Sequence, residues 1–118
     1  MAPHDVDLLL ELVRQAHRKK CLHYRRDRDK NLSTLATLGI TVRDMFAIVA
    51  ALKSKDALRS PWKNTNPGFP DETTCEFGTL AEGSEVYVKV SVAGLDDGPQ
   101  GCVISFHFPE KRLTYPFK

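Results

Sequence analysis

The sequence predicts one α+β domain over residues 1–118, in which N-terminal helices pack on a C-terminal antiparallel sheet. Apolar residues recur at helical spacing in the first part of the chain, and two runs in the last part alternate between apolar and polar residues. A hydrophobic content of 42% in 118 residues is enough to form one core. We expect a helical part over 5–58, a proline-rich loop over 59–72 and the sheet over 73–117.

Three patterns predict the helices. An amphipathic helix is expected over residues 5–20, with its apolar stripe formed by Val6, Leu9, Leu10, Val13 and Ala16 and broadened by Leu8 and Leu12. Asn31 is a favourable N-cap for a short helix that runs through Leu38 and ends at Gly39 in the left-handed conformation. Thr41 and Asp44 have the spacing of a capping box, which predicts a third helix over 42–52.

A β-hairpin is the clearest feature of the sheet, which begins with a short strand over 73–80. Valines alternate with polar residues over 85–92, turn-forming residues fill 93–101, and a second alternating run follows. In that run, Cys102, Ile104, Phe106 and Phe108 share one face, and Val103, Ser105 and His107 share the other. If the loop closes symmetrically, the opposed pairs are Val92 with Cys102, Val90 with Ile104, Lys89 with Ser105 and Tyr87 with His107. A slip of two residues would keep the faces and change the partners.

Composition excludes several classes of protein. No stretch is long and apolar enough to cross a bilayer or to form the core of a signal peptide, so we expect a cytoplasmic protein without a membrane partner. Cys21, Cys75 and Cys102 lack the spacing of a disulfide framework or a zinc ribbon. His17, Cys21 and His23 match no standard metal site, and neither a metal nor another cofactor is predicted.

A basic patch, residues 14–30, stands out although the net charge is only +2. It holds eight Lys or Arg residues against Asp27 and Asp29. Such a patch is typical of a polyanion-binding surface, and it is equally compatible with a solvated helix end. The RNA-binding candidates are Arg18, Lys19, Lys20, Arg25 and Arg26 in the patch, together with Lys63 in the proline-rich loop.

A stretch over 32–111 resembles the MqsR (motility quorum-sensing regulator) family of bacterial toxins. The likeness lies in the order of Leu38-Gly39-Ile40, a helix ending at Ala51-Leu52, Asp56-Ala57-Leu58-Arg59-Ser60, Val86-Tyr87-Val88-Lys89 and Ile104-Ser105-Phe106-His107. The resemblance implies a RelE-like ribonuclease fold, cleavage of messenger RNA without a metal, and neutralisation by an antitoxin. This chain differs from the family in Ala57-Leu58-Arg59, and it continues past the family's usual end through Phe117.

The resemblance also implies a set of site residues. Tyr87 matches the family's catalytic tyrosine, Arg59 and His107 take the positions of two catalytic lysines, and Glu76 falls near the position of a catalytic glutamine.

The residue types are suited to RNA cleavage independently of the resemblance to the MqsR family. Metal-free RNA cleavage needs a base for the 2′-hydroxyl, cations for the phosphate and an acid for the leaving 5′-oxygen. An imidazole titrates near neutral pH, so His107 is a candidate base or acid, with Tyr87 as its partner and Arg59 and Lys89 as phosphate ligands. A phenol is a poor base unless nearby cations lower its pKa.

The prediction is therefore a metal-independent endoribonuclease toxin of a bacterial type II toxin-antitoxin system, acting on free or ribosome-bound mRNA and bound by a cognate antitoxin. Alternatives stay open, among them an antitoxin-like or regulatory partner, although no helix-turn-helix pattern is evident. Tyr87 and His107 are also compatible with a simple cross-strand packing pair. The whole chain is also compatible with a non-catalytic module that binds RNA or protein through the basic patch. Trp62 suits either stacking on a base or anchoring the loop to the core.

Overall fold

The computed structural model describes residues 3–64, 71–95 and 98–118. The elements in chain order are α1 (Pro3–Arg18), β1 (Leu22–Tyr24), α2 (Asp29–Leu38), α3 (Val42–Ala50), a 3₁₀ turn (Ser54–Asp56), β2 (Trp62–Asn64), β3 (Glu72–Ala81), β4 (Ser84–Leu95) and β5 (Gly98–His107). The α+β class, with helices first and most strands last, is confirmed.

Helix α1 contains the predicted apolar stripe, and all five of its residues are buried: Val6, Leu9, Leu10, Val13 and Ala16. It ends two residues before the predicted end. Lys20 adopts a left-handed conformation with φ 59°, its N–H donates to the His17 carbonyl, and the Cys21 N–H donates to the Ala16 carbonyl. This is the Schellman arrangement, which usually has glycine at the left-handed position. Because a lysine occupies this position, no residue type in the sequence marks the end of the helix. Leu8, expected to broaden the stripe, is 65% exposed.

Helix α2 corrects the role predicted for Asn31. The helix begins at Asp29 with Arg28 at the N-cap position and no side-chain cap, so Asn31 lies inside the first turn. Gly39 ends the helix in the left-handed conformation, as predicted, with φ 71°.

Helix α3 has the predicted capping box. The Asp44 N–H donates to Thr41 Oγ1 (3.1 Å), and the Thr41 N–H donates to Asp44 Oδ2 (2.9 Å). The helix ends at Ala50 rather than at residue 52. The Arg14 guanidinium of α1 donates to the Ala50 and Leu52 carbonyls (3.1 and 2.9 Å), which supplies partners to groups that a helix end leaves unpaired.

The sheet has the strand order β1-β5-β4-β3-β2. Strands β2 to β5 are antiparallel, as expected, whereas β1 pairs in parallel with β5. The sequence did not predict β1, which comes from the basic patch, or β2, which comes from the proline-rich loop. Beyond β5, residues 108–118 form an irregular tail, so the prediction that the sheet extends to 117 is wrong.

The β4–β5 hairpin has the predicted pairs Tyr87 with His107 and Lys89 with Ser105. A β-bulge follows between Lys89 and Val90. Beyond it, Val90 pairs with Val103 and Val92 with Gly101, so the two pairs predicted with Ile104 and Cys102 are wrong. The extra residue also moves Val103 into the core, while Cys102 and Ile104 stay half-buried. Pairing continues to Leu95 and Gly98, so most of the predicted 93–101 loop is strand; Asp96 and Asp97 lie outside the described residues.

The fully buried Asn31 amide completes the outer edge of β5 beside the bulge. Its Nδ2 donates to the Ile104 carbonyl (3.0 Å) and to the Arg25 carbonyl (3.2 Å), and its Oδ1 accepts from the Phe106 N–H (3.0 Å). Strand β1 pairs with β5 only as far as Val103. The side chain therefore continues the ladder where β1 stops, and it ties the first turn of α2 to the sheet.

The core lies on one face of the sheet. Val86, Val88, Val90 and Val92 of β4 are buried there with the α1 stripe, Met45 and Val49 of α3, Phe77 of β3 and Phe106 of β5. Side chains alternate along a strand, so the residues between these valines point to the opposite face. Within the described ranges, no single helix combines the length and the apolar character needed to cross a membrane.

We expect Asn31→Ala to lower the free energy of unfolding by about 3 kcal/mol, because it leaves the Ile104 carbonyl and the Phe106 N–H without partners in a buried place. Urea unfolding measures the change. Ser33→Ala, an exposed position on the same helix, is the matched control and should change stability by less than about 0.5 kcal/mol. Equal stability of the two variants would contradict the structural role of the amide.

Candidate active site

A cavity of about 970 Å³ opens on the sheet face opposite the core. Its floor includes Glu76 of β3, Tyr87 of β4 and His107 of β5. Its walls are the first turn of α2 with Arg28, the backbone after the 3₁₀ turn at Leu58, and residues 109–114 of the tail. Three of the predicted catalytic residues therefore share one concave site, on three adjacent strands.

The three floor residues form a contiguous row. The Tyr87 hydroxyl donates a hydrogen bond to Glu76 Oε2. On its other side, the Tyr87 ring contacts the His107 ring, with 5.2 Å between the centroids and 34° between the planes. The phenol thus links a carboxylate to an imidazole across the sheet.

The environment of Tyr87 argues against its use as a base. Burial raises the pKa of the phenol above its ordinary value, and the hydrogen bond to the Glu76 carboxylate raises that pKa further. The Arg28 and Arg59 charges lower the same pKa by a smaller amount. Tyr87 therefore stays protonated near neutral pH and acts as a hydrogen-bond donor.

The protonation of His107 follows from its neighbour. Nδ1 lies 2.9 Å from the Phe108 carbonyl oxygen, which can only accept a hydrogen bond, so Nδ1 carries a proton. Nε2 is then the ring nitrogen that this hydrogen bond leaves available.

The cations of the cavity wall come from two separate segments. Arg28 and Lys30 belong to the basic patch, whereas Lys111 and Arg112 belong to the tail and were not among the predicted binding residues. Lys30 is paired with Glu110 across the rim, and both side chains are exposed. The adjacent bases Lys111 and Arg112, directly after the His107 strand, were the sequence signal that could have indicated this wall.

Gly78 lets the tail lie over the sheet. It stands opposite Tyr87 in the β3–β4 ladder, and a Cβ at this position would collide with the Tyr115 hydroxyl and approach Leu113 to 2.8 Å. The Tyr115 hydroxyl donates to Glu85 Oε2 (2.7 Å). Burial and this carboxylate raise the pKa of Tyr115 to about 12. The absence of a side chain at Gly78 thus leaves room for the tail, which carries Lys111 and Arg112 to the cavity wall.

Two predicted catalytic residues lie outside the cavity lining. The Arg59 guanidinium carbon is 4.3 Å from the centroid of the Trp62 ring, and Lys89 Nζ is 5.8 Å from the same centroid. Ser105 is buried opposite Lys89. The row of Glu76, Tyr87 and His107 is therefore separate from the cluster around Trp62.

Two arginines of the basic patch are paired with carboxylates. Arg18 pairs with Glu11 (3.4 Å), and the Arg25 guanidinium makes two bonds to the Asp27 carboxylate (3.0 and 2.9 Å). The hydrogen bond from Arg25 lowers the pKa of Asp27 to about 2. Lys19, Lys20 and Arg26 are exposed away from the cavity lining.

Lys63 pairs with Thr73, one position along β2 from Trp62, so it points to the other face of the sheet. None of the six predicted RNA-binding residues lines the cavity.

The described residues include no group of three or more His, Cys, Asp or Glu placed to hold a metal ion. All three cysteines are free thiols. Burial raises the pKa of the Cys75 thiol to about 12, so this residue is not an activated nucleophile.

Comparisons with protein-family models, with curated proteins and with solved structures find no match to this chain.

We expect the tyrosines to ionise at a higher pH in the folded chain than in the unfolded chain. The pKa of Tyr24, Tyr87 and Tyr115 is raised in the folded chain, whereas an unfolded tyrosine titrates at about pH 10. The contribution of these three tyrosines to the free energy of unfolding is complete below about pH 10, and it is lost as the pH rises towards and beyond 12. Ultraviolet absorbance of tyrosinate should show a midpoint above that of the urea-unfolded chain. Coincident midpoints would contradict these environments.

Proposed function

We propose that the protein cleaves single-stranded RNA without a metal ion. The observation that carries this proposal is the row of carboxylate, phenol and imidazole from Glu76, Tyr87 and His107 at the floor of a cavity. Its walls carry Arg28, Lys111 and Arg112, the ion pair of Lys30 with Glu110, and Asp29. Acid-base cleavage of an RNA phosphodiester needs two groups that exchange protons and cations that stabilise the phosphate.

The roles differ from those expected from the sequence. Glu76 removes the proton from the 2′-hydroxyl, and the 2′-oxygen attacks the adjacent phosphorus. The bond from phosphorus to the 5′-oxygen breaks, and His107 Nε2 donates its proton to that oxygen. The products are a 2′,3′-cyclic phosphate and a 5′-hydroxyl. Tyr87 orients the Glu76 carboxylate through its hydrogen bond, and Arg28, Lys111 and Arg112 stabilise the charge on the phosphate.

Purified protein should cleave single-stranded RNA in EDTA and leave 2′,3′-cyclic phosphate ends. Glu76→Gln and His107→Gln should each reduce kcat/KM by about 100-fold or more, because each removes one proton-transfer group. Glu82→Gln and His17→Gln are the matched controls, since neither residue lines the cavity. The pH profile should be bell-shaped, and the alkaline limb should disappear in His107→Gln.

The results separate this proposal from its main alternative. Cleavage that is lost in EDTA, or that persists at the wild-type rate in both cavity variants, would contradict it. Salt-sensitive RNA binding without cleavage would instead favour a non-catalytic binding module.

The cellular role that we propose is that of a type II toxin acting on mRNA in the cytoplasm, with an antitoxin as its protein partner. It is supported by the resemblance of 32–111 to the MqsR family. Expression of the wild-type chain should then arrest bacterial growth, and the product of an adjacent small gene should relieve the arrest. His107→Gln at an equal protein level should not arrest growth. Arrest by both forms would contradict a toxic activity that depends on this cavity.

A further inference from the structure

Trp62 lies on the same sheet face as the cavity and is close to two cations. It pairs with Thr74, which is two residues along β3 from Glu76, a distance of about 6.7 Å. Arg59 and Lys89 lie over its ring, at 4.3 and 5.8 Å from the centroid. The cluster of Arg59, Trp62 and Lys89 therefore borders the proposed reaction site, one strand away.

A chain of hydrogen bonds holds the ring in a defined orientation. Trp62 Nε1 donates to Asn64 Oδ1 (3.1 Å), and Asn64 Nδ2 donates to Thr74 Oγ1 (2.8 Å). Thr74 Oγ1 and Ser91 Oγ share a further bond (2.6 Å), and both of these residues are buried. The chain crosses β2, β3 and β4, so the ring is fixed to the sheet and not only to its own loop.

The charges of the cluster are not neutralised by carboxylates within the described ranges. No ion pair there involves Arg59 or Lys89. Lys89 stands opposite Glu76 in the β3–β4 ladder, but the Glu76 carboxylate accepts its hydrogen bond from Tyr87, and the Lys89 ammonium lies over the indole instead. If Trp62 only anchored β2 to the sheet, its hydrogen bonds would suffice without Arg59 and Lys89 over the ring.

We propose that Arg59, Trp62 and Lys89 form a stacking subsite for a nucleobase of single-stranded RNA next to the cleaved bond. The base stacks on the partly exposed indole, and the two cations contact the flanking phosphates. Stacking tolerates any base, because every base has a π face, so this subsite sets affinity and register rather than sequence. The choice of ligand rests on the proposed function.

The chain provides its own probe, since Trp62 is its only tryptophan. An oligonucleotide with 2′-O-methyl riboses lacks the attacking hydroxyl and measures binding without cleavage. Its addition should change Trp62 fluorescence, and a labelled copy should give the dissociation constant by anisotropy. Trp62→Ala should weaken binding roughly 5- to 150-fold, and Trp62→Phe should restore part of that loss.

Charge is tested with a pair of neighbouring lysines. Lys89→Gln should weaken binding and reduce the slope of affinity against salt by about 1, as expected for one lost phosphate contact. Lys63→Gln removes the same charge from the opposite face of the sheet and should change affinity less than about twofold. Circular dichroism and urea unfolding identify any variant that fails to fold, and the conservative Trp62→Phe and Lys89→Gln then carry the test.

Three outcomes would overturn the subsite: unchanged fluorescence with a bound oligonucleotide, wild-type affinity in Trp62→Ala, or equal losses in Lys89→Gln and Lys63→Gln. Cleavage of RNA with any of these outcomes would remove the subsite and leave the proposed function intact. Binding through Trp62 without cleavage would support the subsite and contradict the proposed function.

Discussion

The fold around the cavity depends on one buried amide. Strand β1 ends opposite Val103, beside the bulge, and this leaves the Ile104 carbonyl and the Phe106 N–H at an edge of β5 that no strand pairs. Asn31 supplies one donor and one acceptor to these two groups and a second bond to the Arg25 carbonyl. Because Asn31 lies in the first turn of α2, the same contact brings Arg28 and Lys30 to the cavity wall.

A second constraint acts on the opposite wall. Gly78 leaves a space on the exposed face of β3, and Tyr115 and Leu113 of the tail lie over it. The Tyr115 hydrogen bond to Glu85 holds this position. The cavity is therefore a product of two contacts between segments that are distant in sequence, one through a buried amide and the other through a missing side chain.

The structure also gives the predicted site residues other partners than the sequence suggested. Tyr87 was expected to assist His107, and the structure instead places its hydroxyl on Glu76 while its ring contacts the imidazole. The phenol, with its raised pKa, is thereby a hydrogen-bond donor to the carboxylate. Arg59 and Lys89, expected to hold the phosphate, lie over Trp62 and define a second cluster. The cavity face of the sheet thus carries two groups, the row of Glu76, Tyr87 and His107 and the cluster of Arg59, Trp62 and Lys89.

Local patterns in the sequence determined the α1 stripe, the α3 capping box, the left-handed end of α2 at Gly39 and the shared sheet face of Tyr87 and His107, whereas their direct pairing also requires the bulge after Lys89. Each depends on residues that are close in the chain or joined by one hairpin, so periodicity and parity suffice to predict it. The tertiary structure alone decided the bulge after Lys89, the parallel strand β1, the role of Asn31 and the walls with Lys111 and Arg112. These depend on contacts between distant segments, which compete for the same backbone groups and which no local pattern encodes.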